Sequence, residues 1–262
     1  MKPTEKQALA TKSKTESLIL REEGNAVATL TLNRPKQFNA LSEAMLVAFQ
    51  EELEAIAKNE AVRLVILRGA GKDFCAGHDL KEMIAKRNET YYQTLFRQCS
   101  KMMMTLNQMP QPVIARVHGI ATAAGCQLVA ACDLAVAADD ACFATSGINV
   151  GLFCSTPAVP VSRNIPRKQA MELLLTGDFI DAQTALSWGL INRTSPLEKL
   201  DEEIKKLADS ILSKSPLAVT TGNWSAPAMV ASARFASLWL ATPTSVLPEN
   251  FLESLRWQLI DG

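Results

Sequence analysis

The stretch Val113-Ile-Ala-Arg-Val-His-Gly-Ile-Ala-Thr-Ala-Ala-Gly-Cys-Gln-Leu-Val-Ala-Ala-Cys-Asp-Leu-Ala-Val-Ala138 decides the fold class. Val113 to Val117 is a short apolar run that reads as a buried strand, and the chain then turns at Gly119. Thr122 to Ala131 reads as a small-residue helix, and Leu134 to Ala138 as a second strand. Strand, helix and strand in close succession are the unit of an α/β architecture. The pattern extends in both directions. Upstream, Ser17 to Glu22 and Ala26 to Asn33 flank a Glu-Gly-Asn turn at Glu23 to Asn25, which is a hairpin signal. Ser42 caps a helix to about Lys58 on which Leu46, Phe49, Leu53 and Ile56 form one apolar stripe, and Val62 to Arg68 follows as a strand. Asp79 to Asn107 reads as one helix ended by Pro110 and Pro112. Downstream, Gly147 to Thr156 is an apolar loop, followed by helices at Arg167 to Leu175, Asp181 to Trp188 and Leu197 to Lys214.

With 262 residues the chain is long enough for one large domain, and 27 basic against 27 acidic side chains give no net charge. That balance disfavours a nucleic-acid or anionic-membrane footprint, and Lys81, Lys86 and Arg87 are interleaved with Glu82 and Glu89. No apolar run approaches the roughly 20 residues of a spanning helix. The six cysteines, Cys75, Cys99, Cys126, Cys132, Cys142 and Cys154, form no Cys-x-x-Cys pair and read as buried free thiols. With only His78 and His118 beside them, no metal site is expected. Met1 to Glu16 is polar, Lys-rich and free of arginine, and reads as a disordered lead-in without a targeting signal.

Several nucleotide and hydrolase motifs fail. Gly69-Ala-Gly71 follows a strand, but the third glycine of a dinucleotide fingerprint would fall on Phe74. Gly119-Ile-Ala-Thr-Ala-Ala-Gly125 lacks the Lys and Ser or Thr of a phosphate loop, and no Gly-x-Ser-x-Gly elbow occurs. Two segments remain: Phe74-Cys-Ala-Gly-His-Asp-Leu80 and Val117 to Gln127. Both place unencumbered N–H groups at a chain reversal, where they suit an oxygen that becomes negative during reaction. Two such amides can form an oxyanion hole for an enolate or a thioester adduct, or the small residues can simply let a helix approach the sheet.

These two segments, together with Leu30-Thr-Leu-Asn-Arg-Pro35, Asn39-Ala-Leu41, Phe179-Ile-Asp-Ala-Gln-Thr-Ala185 and Trp188-Gly-Leu190, resemble the crotonase superfamily of enoyl-CoA hydratases and isomerases. Ala121 to Gln127 with Asn149 to Pro157 looks like its domain-containing protein three subgroup. The resemblance implies an α/β fold of ββα repeats wound into a spiral over residues 17–195. A helical C-terminal region, 196–262, would be used in a homotrimer or dimer of trimers. It implies an acyl-CoA thioester substrate and no cofactor beyond the coenzyme A that the substrate carries. By the match, the oxyanion amides are those of His78 and Ala124. Ala76 and the stretch His78, Asp79, Leu80 and Lys81 would border the adenine and phosphate part, with Arg34 or Lys36 as phosphate contacts.

The departures bear on chemistry. Family hydratases activate water with two glutamates, and the matching positions are Gln127 and Gly147; an aspartate used by other branches matches Ser155. Neither an amide nor a glycine exchanges protons near neutrality, so standard hydratase activity is expected to be weak or absent. His78, Cys154 and Ser155 are the available substitutes, and Asp133 is expected to satisfy backbone amides. After Gly222 the composition changes: Asn223 to Gly262 contains Trp224, Trp239 and Trp257, no lysine and five charged residues. The implied function is that of an acyl-CoA-binding protein of fatty-acid metabolism, enzymatic or a non-catalytic sensor, in the cytoplasm or alternatively the mitochondrial matrix.

Overall fold

The structure is a computed structural model that describes residues 17–230, with side chains to residue 223. The expectations for Met1 to Glu16, and those for the chain beyond Val230, lie outside the described residues.

The chain opens with a hairpin of β1 (Ile19–Gly24) and β2 (Val27–Leu32). They pair antiparallel from Ile19 opposite Leu32 to Gly24 opposite Val27. The reversal is therefore at Asn25 and Ala26, both left-handed with φ of 52° and 62°. The expected turn lay one residue earlier, but Glu23 and Gly24 stay in the ladder. A two-residue turn with both φ positive matches the twist of the strands and favours Asn-Gly. Ala26→Gly should therefore raise stability by about 0.5–1 kcal/mol, its relief of left-handed strain exceeding the added chain entropy. An unchanged denaturation midpoint would contradict this.

Ser42 accepts the Met45 N–H at 3.2 Å and starts α1 (Glu43–Ala57). Then come β3 (Leu64–Gly69), α2 (Leu80–Ala85), α3 (Glu89–Gln108), β4 (Val113–Val117), β5 (Ile120–Thr122) and α4 (Ala124–Ala131). The next elements are β6 (Leu134–Ala138), β7 (Cys142–Ala144), α5 (Ser155–Asn164), α6 (Arg167–Thr176), β8 (Ile180–Asp181) and α7 (Ala182–Trp188). The described chain closes with β9 (Arg193–Ser195), α8 (Leu200–Leu212) and α9 (Pro216–Val230). A six-stranded sheet has the order β1-β2-β3-β4-β6-β9, parallel from β2 onward, and a smaller sheet has the order β5-β7-β8. Cys75 bridges to Ala121 in parallel and so extends the smaller ladder.

A repeat is visible in this pairing. Each turn takes one strand of the large sheet, then a short extended segment beside the small one, then a helix: β3, Cys75, α2; β4, β5, α4; β6, β7, α5. The strands of the large sheet read as continuous apolar runs because a parallel sheet is covered on both faces. Every residue of α4 is buried, which its small and apolar residues Ala124, Gly125, Cys126, Val129, Ala130 and Ala131 permit.

Three further elements differ from expectation. The helix expected over Asp79 to Asn107 is two helices, because Lys86 leaves helical geometry with ψ at 49° and Asn88 caps the second through the Tyr91 N–H at 2.7 Å. Thr122 is the end of a strand, so α4 starts two residues later than expected. The loop expected at Gly147 to Thr156 contains a 3₁₀ turn at Ser146–Val150 and opens α5, whose Pro157 and Pro160 obscure it in sequence. Asp133 accepts the Val113 N–H at 2.7 Å, the backbone role expected of it. The six cysteines are free thiols, five buried and Cys142 half-buried.

Candidate functional site

Backbone pairing brings the two glycine-containing segments together. The Cys75 N–H donates to the Ile120 carbonyl, and the Thr122 N–H donates to the Cys75 carbonyl, each at 3.0 Å. One residue type permits the approach: a Cβ on Gly125 would lie 2.0 Å from the Cys75 carbonyl oxygen. Gly77, at φ +88°, is the second point of contact, since its Cβ would lie 3.1 Å from the Ala124 nitrogen. On the other side Leu41 brackets His78, donating to the Gly77 carbonyl at 2.7 Å and accepting from the Asp79 N–H at 3.4 Å.

The N–H groups of His78 and Ala124 have no hydrogen-bond acceptor among the described residues. Ala124 is the first residue of α4, where the helix leaves an N–H unpaired and carries partial positive charge. Ala123 before it adopts φ 51° and ψ −118°, a conformation uncommon for a residue with a side chain, and its N–H is held by the Ala144 carbonyl at 3.0 Å. The backbone there is bent so that the helix opens toward Gly77. Two donors on adjacent segments are the chemical requirement for holding an oxyanion.

Gln127 and Gly147 meet the start of α5. Gln127 is fully buried; its Oε1 accepts from the Thr156 hydroxyl at 3.3 Å, and its Nε2 has no partner among the described residues. A Cβ on Gly147 would sit 2.6 Å from the Leu152 carbonyl oxygen and 2.7 Å from Cys154 Sγ. Ser155 and Thr156 are half-buried, and the Cys154 thiol donates to the Thr145 carbonyl at 3.4 Å. Burial pushes the Cys154 pKa up to about 11, so the thiol stays protonated near neutrality. Thr156 went unnoticed in the sequence, and its only signal was its place beside Ser155 at a helix start hidden by prolines.

The His78 side chain turns inward. Its ring lies 5.3 Å from that of Phe96, edge to face, and among the described residues neither buried ring nitrogen meets a hydrogen-bond partner of normal geometry. Burial pulls its pKa down to about 4, with the Leu41 backbone and the Glu82 charge opposing. The imidazole is therefore neutral at pH 7.

The residues expected along coenzyme A fall into two groups. Arg34 is committed within the chain: it donates to the Ala40 carbonyl at 2.7 Å and pairs with Asp79 at 2.9 Å. Burial raises the Asp79 pKa, but the Arg34 hydrogen bond and the Glu82 N–H that Asp79 caps outweigh it and hold the carboxyl below its ordinary value. Ala76 donates to the Phe38 carbonyl at 3.0 Å, and Leu80 packs on the core as the first residue of α2. Lys36 and Lys81 are exposed, with no ion pair to another described residue. Asn39 was legible only as part of a motif. It is fully buried, accepts the Arg34 N–H and donates to the carbonyls of Ala70, Asp73 and Phe74, which fixes this loop against the site. Among the described residues no group of three or more His, Cys, Asp or Glu side chains is arranged to hold a metal ion, and no helix is long and apolar enough to cross a membrane.

The family profile described as enoyl-CoA hydratase/isomerase matches residues 22–235. The chain belongs to this family. Among relatives, rat enoyl-CoA hydratase domain-containing protein 3, mitochondrial, is 46% identical over 198 residues, covering 76% of this chain and 66% of its own length. The chain thus spans just under two thirds of that relative. A crystal structure of an enoyl-CoA hydratase from Mycobacterium smegmatis superposes with a TM-score of 0.81 at 49% identity, covering 93% of this chain and 96% of the other. The crystal structure of human enoyl coenzyme A hydratase domain-containing protein 3 gives 0.79 at 40% identity over 87% and 90%. The crotonase fold expected from the motifs is therefore the fold of this enoyl-CoA hydratase/isomerase family member.

Proposed function

We propose that the protein binds acyl-CoA thioesters and stabilises negative charge on the thioester oxygen through the N–H groups of His78 and Ala124. The observation that carries this reading is that these two donors, on segments clamped together by the Cys75 ladder, are both without acceptors among the described residues. At the positions of the two family glutamates stand a buried amide and a glycine without room for a side chain. Of the three substitutes, the neutral His78 ring is buried, burial pushes the Cys154 thiol up to about 11, and the Ser155 hydroxyl has no usable pKa near neutrality. Water addition is accordingly weak, and the reading as an acyl-CoA-binding or sensing protein draws support from the same facts. Lys36 and Lys81 are the cations available to the phosphates, whereas the pairing of Arg34 with Asp79 makes Arg34 a support for the loop.

The protein would act in acyl-CoA or fatty-acid metabolism, as a homotrimer or dimer of trimers, with coenzyme A entering only as part of the substrate. A cytoplasmic location has no support among the relatives. The rat relative's name carries "mitochondrial", which favours the mitochondrial matrix, and imaging of the tagged full chain tests it.

Calorimetry of the full chain with a panel of acyl-CoA thioesters tests the reading, and no heat with any of them would end it. Ala124→Pro removes one donor at a position where a helix tolerates proline. Affinity should fall about 10- to 100-fold. Because Gly77 lies close to that nitrogen, the variant's fold is verified by circular dichroism; unchanged affinity in a folded variant would remove Ala124 from the site.

A further inference from the structure

We infer that the cleft between the start of α9 and the entry ends of β3 and β4 is a second binding site, for an organic acid with one carboxylate and an apolar chain. Its volume is about 420 Å³, within the roughly 300–1,000 Å³ of small-molecule sites. One wall is formed by Ala57 and Val62 ahead of β3 and by Pro110 and Gln111 ahead of β4. The facing wall is Ile211 on α8 with Val219 and Thr220 on α9. β3 and β4 run parallel, and the His78 and Ala124 amides lie beyond their far ends. Strands of 6 and 5 residues separate the two places by roughly 17–20 Å, so the cleft is no part of the thioester site.

The ligand class follows from Arg63, which lines the cleft. Its backbone N–H donates to the Ala26 carbonyl at 2.8 Å and its Nη2 to the Lys214 carbonyl at 2.7 Å, so the guanidinium is held at the cleft. It forms no ion pair with another described residue, and its Nε and Nη1 have no acceptor among them. A half-buried cation without a counter-charge is the group that an arriving anion satisfies, and the planar guanidinium suits a carboxylate. Lys58 and Glu60, both exposed, are the other charged residues of the lining, which leaves one net positive charge. That balance fits a monocarboxylate, whereas a dianionic phosphate would meet Glu60 with too little positive charge to offset it. A hydrated anion alone would also leave Val62, Pro110, Ile211 and Val219 uncovered, and an apolar chain covers them. The cleft is preformed, because Gln111 Nε2 donates to the Ile56, Asn59 and Val62 carbonyls at 3.0, 3.4 and 3.2 Å and pins the connection from α1 to β3.

Calorimetry of the full chain with octanoate tests the inference, with acetate and octan-1-ol as the head group and the chain alone. Octanoate should bind, and each of the other two should bind at least about tenfold more weakly. A saturating acyl-CoA thioester should leave the octanoate affinity unchanged, because the two places are distinct. Arg63→Gln removes the cation and should weaken octanoate about 10- to 100-fold. Thr220→Phe fills the cleft from α9 while keeping Arg63, should abolish octanoate binding, and replaces the first variant if that one does not fold. No heat with octanoate, equal affinity for octan-1-ol, displacement by the thioester, or unchanged affinity in a folded variant would overturn the inference.

Discussion

Hydration of crotonyl-CoA by this protein should be slower than by a glutamate-bearing family member by on the order of 10²–10⁴ or more, since each proton-transferring group typically contributes that range. The Gln127 amide can orient water but cannot take its proton, and Gly147 supplies no group at all. Loss of the enoyl absorbance, followed for both proteins side by side, measures the ratio. A rate within tenfold of the relative would show that another group moves the proton, or that these two positions are not the reacting ones. The obvious repair, Gln127→Glu with Gly147→Glu, is obstructed in a way that the sequence did not reveal. Gly147 has an ordinary φ, so the obstacle is space: any Cβ meets the Leu152 carbonyl and Cys154 Sγ. The single Gln127→Glu is therefore the informative change. Thr156 remains as a donor to the new carboxyl, and full burial would raise its pKa toward neutrality, where a general acid works best. Hydratase activity should rise above the parent in the single variant, and the double variant should lose stability rather than add to the gain.

Gly125→Ala should be among the most damaging single-methyl changes in the described chain. Its Cβ would lie 2.0 Å from the Cys75 carbonyl oxygen and 2.8 Å from the Cys75 carbonyl carbon, both backbone atoms that cannot rotate away. Relief requires α4 and the Cys75 segment to separate, which breaks the Cys75–Ala121 bridge and pulls Gly77 from Ala124. A loss of about 3 kcal/mol or more is expected, at the upper end of overpacking costs. Thermal unfolding reads the stability, and calorimetry with an acyl-CoA reads the site. A variant that retains the parent's midpoint and thioester affinity would mean that the two segments are not held as closely as described. The same substitution at Gly24, whose Cβ meets nothing within 4 Å, serves as the control and should change stability by less than about 1 kcal/mol.

The sequence by itself determined the alternation of strands and helices, and with it the fold class. Long apolar periodicity on α1 and continuous apolar runs at β3, β4 and β6 are local signals that tertiary contacts reinforce. It also located the two glycine-containing segments, because these are matters of residue type and order. Only the tertiary structure decided what touches what. Asp79 and Arg34 lie 45 residues apart and are both expected along coenzyme A from the resemblance, yet together they form a half-buried ion pair. His78 is adjacent to the site in sequence, but its ring faces Phe96 from another helix, and burial rather than neighbouring residues sets its protonation. The start of α5 was hidden because two prolines mask a helix whose burial against α4 overrides their local preference. Thr156 therefore became visible only through the partner that it meets across that packing, where hydrogen bonds and exclusion of water depend on three-dimensional proximity and leave no periodic trace in the chain.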